Sequence, residues 1–385
     1  MDIFTVSELF LTGLLLMVLF VGGFAAHKFK IPDVIIFLFS GLALGLFMQH
    51  SDLMEFAAEV GIVMLFFMLG MEFPIQQLRY LAMKIYKPGL IDLALSFGVS
   101  TAIALLFGLD LPSALLVGGV AYATSSSITA KLLEKNNRLI KNDADFLLGV
   151  LIFEDIIAPI LVAVIASMYL SGSISPTEMI FVFVKIIILI IGALAIGKVI
   201  FSNMKDFIDH YVSEDFFILF VVGLGLLYAG LALSLGLSEV LGAFLAGIML
   251  AESQQSSVLQ NQIRNLRDLL MPVFFIYFGT TIDILNGIPM LGLLLVLLTW
   301  SIASKVVVGI YGGRQYGLNR EEALRAGLSF TQRGEFSIII AALATSDLKT
   351  FSGIFILFSA LIGVIMFQNA TKWAKRIVGP TKLNS

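Results

Sequence analysis

The sequence contains no cysteine and carries little charge. With no cysteine among 385 residues, disulfide bonds and thiolate metal sites are excluded. The three histidines, His27, His50 and His210, lie too far apart in the sequence for a metal-ligand spacing. Only 13% of the residues are charged, against about 25% in soluble domains. Because 59% are hydrophobic, we predict an all-α polytopic protein in the lipid bilayer and expect no nucleic-acid partner.

Thirteen apolar runs are long enough, or nearly long enough, to cross a bilayer as helices, which takes about 20 residues. They cover residues 5–27, 31–48, 54–71, 87–108, 112–131, 146–170, 177–204, 216–235, 237–251, 268–286, 288–312, 321–345 and 350–371. No Lys or Arg precedes Lys28, so the first run lacks the basic start of a signal peptide. We therefore predict that it is a permanent span.

The basic residues between these runs are distributed unevenly. Twenty of the 24 Lys and Arg residues fall in alternate loops or at the ends of the spans beside them, and the opposite loops hold only Lys349. Basic loops stay in the cytoplasm. The pattern therefore predicts thirteen crossings, with the N-terminus outside and the C-terminus inside.

Thirteen spans can divide as six, one and six, which pairs each span with the one seven places later in the opposite orientation. This is the inverted-repeat architecture of many transporters. Spans 5 and 12 are predicted to be discontinuous helices, because Thr124–Thr129 and Ser329–Ser337 place hydroxyl groups and Gly334 at mid-depth. Hydroxyl side chains compete for backbone hydrogen bonds. Broken helices are tolerated in a membrane where they line a cavity.

Two adjacent carboxylates, Glu154 and Asp155, lie in the middle of span 6. A charge at that depth costs about 2.5–3.5 kcal/mol or more. Pro159 cannot donate to the carbonyl four residues earlier, so Asp155 offers both a carboxylate and a backbone oxygen. Oxygen clusters of this kind bind hard cations. The alternative is a carboxylate pair satisfied by buried partners, without a transport role.

The hydroxyl run of span 5 supplies further candidate ligands for a cation or proton. These are Thr124, Ser125, Ser126 and Ser127. The alternative interpretation is close packing between helices, in which small residues are common.

Three charged residues inside spans are candidates for charge compensation: Lys305 in span 11, and Arg333 and Glu335 in span 12. Lys305 and Arg333 would compensate the buried acids, and Glu335 would pair with Arg333. The alternatives are snorkelling of Lys305 to the interface and a purely structural ion pair between Arg333 and Glu335. Snorkelling to the interface is also the preferred interpretation of three charges near span ends, Asp92, Lys185 and Glu239.

Several short stretches follow one another along the chain in a characteristic order and spacing. They are Ile31–Pro32, Gly41–Gly45, Glu59–Glu72, Leu241–Gly247, Pro272–Phe275 and Arg333–Ser337. With the triplet Phe153-Glu154-Asp155, they resemble the cation:proton antiporter-2 family. The resemblance is closest to bacterial potassium/proton antiporters whose membrane subunit lacks a fused nucleotide-binding domain.

The resemblance implies a sodium/proton antiporter-like fold with a moving core and a dimeric scaffold. The implied boundaries are 1–86 for scaffold and dimerisation helices 1–3, 87–170 for core helices 4–6, 171–213 for linker helix 7, 214–287 for scaffold helices 8–10, and 288–385 for core helices 11–13 with a short cytoplasmic tail. Because larger relatives continue into a nucleotide-binding domain, a separate cytoplasmic regulatory subunit is also implied.

The resemblance further places Asp155 on the ion-carrying aspartate of the family and Lys305 on a lysine that can pair with it. Glu154 differs from the Asp-Asp pair of sodium-exporting relatives and from the Gln-Asp pair of glutathione-gated exporters.

We therefore expect a homodimeric antiporter of the bacterial inner membrane, not an enzyme, that exchanges K⁺ for H⁺ without a cofactor. Na⁺ is the alternative cation. The runner-up function is a sodium-coupled solute symporter, which would need a pocket for an organic solute. A cation channel would need a selectivity filter or a charged ring. An intramembrane aspartyl protease would need two separated aspartates, whereas here the central acids are adjacent.

Overall fold

The computed structural model describes residues 8–29, 32–45, 52–71, 85–138, 140–171, 176–196, 214–251, 256–283, 285 and 287–378. Within these residues the chain forms fifteen helices, no strand and one isolated β-bridge.

The helices are α1 Glu8–Phe29, α2 Asp33–Gly45, α3 Asp52–Met71, α4 Ile85–Leu106, α5 Leu111–Tyr122, α6 Ser126–Lys135, α7 Asn142–Ser171, α8 Pro176–Ile196, α9 Glu214–Ser234, α10 Glu239–Ala251, α11 Ser256–Thr280, α12 Leu291–Tyr316, α13 Arg320–Gly327, α14 Glu335–Ala342 and α15 Ser346–Val378.

The predicted fold class is confirmed. Each predicted span corresponds to one helix, or to one interrupted pair of helices, in the same order along the chain. By length and composition, five helices of the described chain can span a bilayer alone: α3, α4, α7, α12 and α15. The number of membrane crossings stays a prediction.

Helix–helix contacts sort most of the described helices into two groups. The first helix group contains α1, α2, α3, α9, α10 and α11. The second helix group contains α4, α5, α6, α7, α12, α13, α14 and α15. The groups meet where α7 packs on α10, α14 on α11 and α15 on α2, and α8 packs on α10.

Two close helix contacts in the first helix group reflect the inverted repeat. A Cβ built at Gly70 of α3 would lie 2.1 Å from the carbonyl oxygen of Phe244 of α10. A Cβ built at Gly41 of α2 would lie 2.2 Å from the carbonyl oxygen of Ile276 of α11. Moving each span by seven places converts one contact into the other, as an inverted repeat requires.

The two predicted breaks lie against each other. Between α5 and α6, Ala123 is extended, with φ −74° and ψ 129°. Between α13 and α14, the chain is non-helical up to Gly334, which precedes α14. Thr124 and Arg333 form an antiparallel bridge, and the N–H of Ser125 donates to the carbonyl of Gln332 at 3.0 Å. The backbone groups freed by each break are therefore partly satisfied by the other break.

Candidate cation and proton site

Glu154 and Asp155 lie in the middle of α7, at the crossing of the broken helices. Both are buried, and Glu154 has no solvent exposure. The N–H of Thr124 donates to Glu154 Oε2, and Thr124 Oγ1 donates to Glu154 Oε1 at 3.1 Å. Because α5 ends at Tyr122, this N–H is not used within a helix. The break in span 5 thus holds one of the two predicted carboxylates.

Lys305 of α12 contacts two carboxylates. Its Nζ donates to Asp92 Oδ1 and Oδ2 at 2.7 and 2.9 Å, and to Glu154 Oε1 at 2.9 Å. All three side chains are fully buried. The family resemblance implied that Lys305 can pair with Asp155, and the contacts of Lys305 seen here add Asp92 and Glu154 as its partners. These contacts also exclude the alternative that Lys305 snorkels to the interface.

The interpretation that Asp92 snorkels to the interface was wrong, because Asp92 is fully buried against Lys305. Asp92 precedes the π-helical segment Leu93–Val99 of α4 and accepts from Ser96 Oγ at 2.7 Å. Ser96 Oγ also lies 3.3 Å from Ser304 Oγ on α12. π-helical segments are frequent at functional sites.

The predicted serine ligands have different surroundings. Ser125 Oγ donates to Glu335 Oε2 at 2.9 Å, and Ser126 Oγ lies 3.5 Å from Glu335 Oε1. Ser127 lies on α6, and its side chain is outside the described residues. Ser125 and Ser126 therefore face Glu335 of α14, whereas Thr124 binds Glu154 of α7.

Arg333 is fully buried beside Thr124. Its Nη1 lies 3.4 Å from Thr124 Oγ1. Within the part of the chain that the structure describes, its Nε and Nη2 make no hydrogen bond. Glu154 and Asp92 lie within electrostatic range of this guanidinium. The charge-compensating role of Arg333 stays a prediction.

A second buried charge cluster lies at the start of α7, and the sequence analysis missed it. Arg325 of α13 donates to both oxygens of Asp143, at 2.9 and 2.7 Å, and Arg138 donates to the same carboxylate. Arg138 Nη1 also donates to Ser329 Oγ at 3.0 Å. Arg138 lies between spans, where burial lowers the pKa of its guanidinium against the opposing effect of Asp143. The cluster connects the first turn of α7 to the segment between α13 and α14.

A cavity of ≈ 180 Å³ lies between the two helix groups, lined by residues that include Glu55, Glu59, Glu239, Lys349 and Val162. Val162 is about two turns along α7 from Asp155. In the predicted topology these residues face the outer side. Three carboxylates and one ammonium give this outer cavity an excess of negative charge.

No group of three His, Cys, Asp or Glu side chains suited to a metal ion occurs among the described residues. The carboxylates around the crossing are side-chain candidates for binding a monovalent cation or a proton. Asp155 is buried next to Glu154. Carboxylate oxygens can bind either a proton or a hard cation.

The sequence and the fold match known transporters. A family profile described as "Sodium/hydrogen exchanger, transmembrane" matches residues 15–373. The chain belongs to this family of monovalent cation/proton antiporters, which are transporters and not enzymes.

Two relatives and one solved structure illustrate the similarity. The chain is 53% identical to the ammonium/H⁺ antiporter subunit AmhT of Alkalihalophilus pseudofirmus, over 97% of this chain and 96% of that protein. It is 25% identical to the K⁺/H⁺ antiporter subunit KhtU of Bacillus subtilis, over 96% and 94%. The structure of the sodium proton antiporter MjNhaP1 from Methanocaldococcus jannaschii superposes with a TM-score of 0.71 at 20% identity, over 96% of this chain and 99% of that chain.

Proposed function

We propose that this chain exchanges ammonium for protons, with K⁺ as a second cation, and that Asp155 carries the cation and the proton in turn. The observation that carries the proposal is the position of Asp155, buried beside Glu154 at the crossing of two broken helices. Intramembrane acids of this kind mark ion pathways.

The formal charge around the crossing suits such an exchange. Four carboxylates are buried there, those of Asp92, Glu154, Asp155 and Glu335, with the cations Lys305 and Arg333. When all six side chains are ionised, their formal charges sum to −2. A site with excess negative charge in a low dielectric attracts a cation or a proton. A cation or a proton bound to Asp155 lowers the cost of burying the excess negative charge. Exchange follows if the second helix group moves only when Asp155 is neutralised in this way.

The choice of ammonium comes from the relative at 53% identity, whose name gives ammonium and protons as its ions. K⁺ was the cation implied by the family resemblance, and a relative at 25% identity is named for K⁺. Na⁺ has the support of the description of the family profile and of two relatives at 26% identity that are named as Na⁺/H⁺ antiporters.

The proposal extends to the assembly. Two of the relatives are named as subunits, which supports a separate cytoplasmic regulatory subunit for this chain. We also propose a homodimer in the bacterial inner membrane, formed through the first helix group, with the second helix group as the moving part. The loop charges support an outside N-terminus and a cytoplasmic C-terminus.

The test uses inverted membrane vesicles acidified inside by respiration and monitored with a ΔpH dye. Addition of NH₄Cl or KCl should release protons from wild-type vesicles. Ammonia crosses bilayers unaided, so vesicles with Asp155→Asn supply the background. An ammonium response identical in wild type and Asp155→Asn, together with no response to K⁺, would contradict the proposal.

A further inference from the structure

The surroundings of the Lys305 Nζ have the chemistry of an ammonium-binding pocket. The three N–H groups of Lys305 face three carboxylate oxygens, at 2.7, 2.9 and 2.9 Å. The ring centroids of Tyr122 and Phe330 lie 5.6 and 5.2 Å from the same nitrogen. Both distances are within the roughly 6 Å over which a ring face attracts a cation.

This pocket is enclosed by protein. Asp92, Glu154, Lys305, Tyr122 and Phe330 all have no solvent exposure. Cation–π attraction is strongest where water is excluded, because the cation then has no hydration shell to compete with the ring.

Tyr122 supplies one further polar group beside the pocket. Its hydroxyl is buried, and it makes no hydrogen bond among the described residues. The carboxylates of Asp92, Glu154 and Asp155 all act on it electrostatically, which places it close to the site. An ammonium ion has four N–H groups, one more than Lys305 has. The hydroxyl oxygen of Tyr122 is therefore a candidate acceptor for the fourth.

Resting on the ammonium exchange proposed above, we propose that NH₄⁺ occupies this pocket when Lys305 withdraws, before it reaches Asp155, and that Tyr122 and Phe330 determine the preference for NH₄⁺ over K⁺. Lys305 then acts as a tethered ammonium that fills the pocket between transport events. K⁺ prefers a full shell of oxygen atoms in place of its water. Three carboxylate oxygens and two ring faces do not provide a full oxygen shell for K⁺. The N–H groups of NH₄⁺ can point both at carboxylate oxygens and at ring faces.

The pocket can be tested without transport by removing the tethered occupant. Lys305→Ala leaves two buried carboxylates uncompensated and should lower the thermal unfolding temperature of the purified protein. NH₄Cl should restore that temperature at a concentration roughly fivefold lower than KCl does, a ratio equivalent to about 1 kcal/mol. Choline chloride at equal ionic strength controls for general salt effects.

The two rings are then tested in the same background. Adding Tyr122→Leu or Phe330→Leu to Lys305→Ala should remove the advantage of NH₄Cl over KCl. Phe351→Leu, a buried aromatic of α15 away from Lys305, is the matched control and should keep that advantage. Equal restoration by both salts in Lys305→Ala alone, or an advantage that survives both ring substitutions, would overturn the inference.

If the Lys305→Ala protein does not fold, calorimetric titration of folded Tyr122→Phe decides. This variant keeps the ring and loses the hydroxyl, so NH₄⁺ affinity should fall about threefold while K⁺ affinity stays the same. Unchanged affinity for both ions would overturn the inference. These binding experiments are independent of the test of the proposed function. The proposed function fails if wild-type vesicles show no proton release that depends on Asp155.

Discussion

Gly334 and Ser125 meet where the two broken helices cross, and a Cβ at Gly334 would lie 2.3 Å from the Cβ of Ser125. Ser125 also donates to Glu335, the first residue of α14. The absence of a side chain at Gly334 thus allows the close approach that aligns the Thr124–Arg333 bridge.

The first prediction follows from this contact. Gly334→Ala should lower the free energy of unfolding by about 1–3 kcal/mol, as overpacking in a buried site does, and should reduce exchange. Thermal unfolding in detergent measures the first effect and vesicle ΔpH the second. Gly223→Ala on α9 is the matched control, because nothing lies within 4 Å of its added Cβ. Equal behaviour of the two variants would contradict the crossing described here.

The second prediction concerns Asp92 and Lys305. Removing one partner of a buried ion pair costs about 3–5 kcal/mol, because the other charge stays buried without compensation. Asp92→Asn and Lys305→Gln should therefore each strongly lower the free energy of unfolding. The loss in the double variant should be clearly smaller than the sum of the two single losses. A double-mutant cycle from thermal or denaturant unfolding measures the difference. Additive losses would show that the two side chains are not coupled.

The third prediction concerns topology. Cysteines can be introduced one at a time, since the chain has none of its own. A cysteine at exposed Asp110 should react with an impermeant maleimide from outside the cell, and one at exposed Asn136 only after the inner side is opened. Ser173, a further predicted outer position, lies outside the described residues. The opposite labelling pattern would contradict the thirteen-span topology.

The broken helices could be predicted because their cause is local. Hydroxyl side chains at Thr124–Thr129 and a glycine at Gly334 weaken helices wherever they occur. The order of the helices was equally visible, because each apolar run carries its own signal. Helix α11 shows the limit of that signal. It begins at Ser256, twelve residues before the predicted run, because a helix can continue beyond the membrane where polar residues tolerate water.

The partner of Lys305 could not be predicted, because it is 213 positions away in the sequence and several acids were available. The π-helical segment Leu93–Val99 adds a physical reason. A π-helical segment changes the angle between successive residues. The 3.6-residue period therefore does not predict which residues of α4 face α12. Charge balance offered one usable signal, since a buried lysine needs an acid, and Asp92 lay within span 4.

The Asp143 cluster was missed for a related reason. Arg138 and Arg325 are among the twenty basic residues in alternate loops or at span ends that predicted the cytoplasmic side. The structure buries both on Asp143, and Arg325 lies 182 positions from it in the sequence. A charge near a span end gives no sequence signal that distinguishes a solvated loop from a buried contact.

The fourth prediction revises the expected role of Glu154. Helix geometry alone predicts a mild effect of Glu154→Gln, because neighbouring residues point about 100° apart. Glu154 in fact binds both Thr124 and Lys305. Glu154→Gln should therefore lower stability as well as change cation affinity, while keeping Asp155-dependent exchange. Wild-type stability together with wild-type affinity would contradict a role for Glu154 in the site.

The most direct measurement is the apparent cation affinity of purified protein in liposomes across pH 6–9, for wild type and Asp155→Asn. If a proton and a cation compete for Asp155, the wild-type affinity should weaken as pH falls, approaching about tenfold per unit when one proton competes, or about 1.4 kcal/mol. Asp155→Asn should fold and show no cation-coupled proton movement. A wild-type affinity that is flat across this range, or exchange retained by folded Asp155→Asn, would contradict the account.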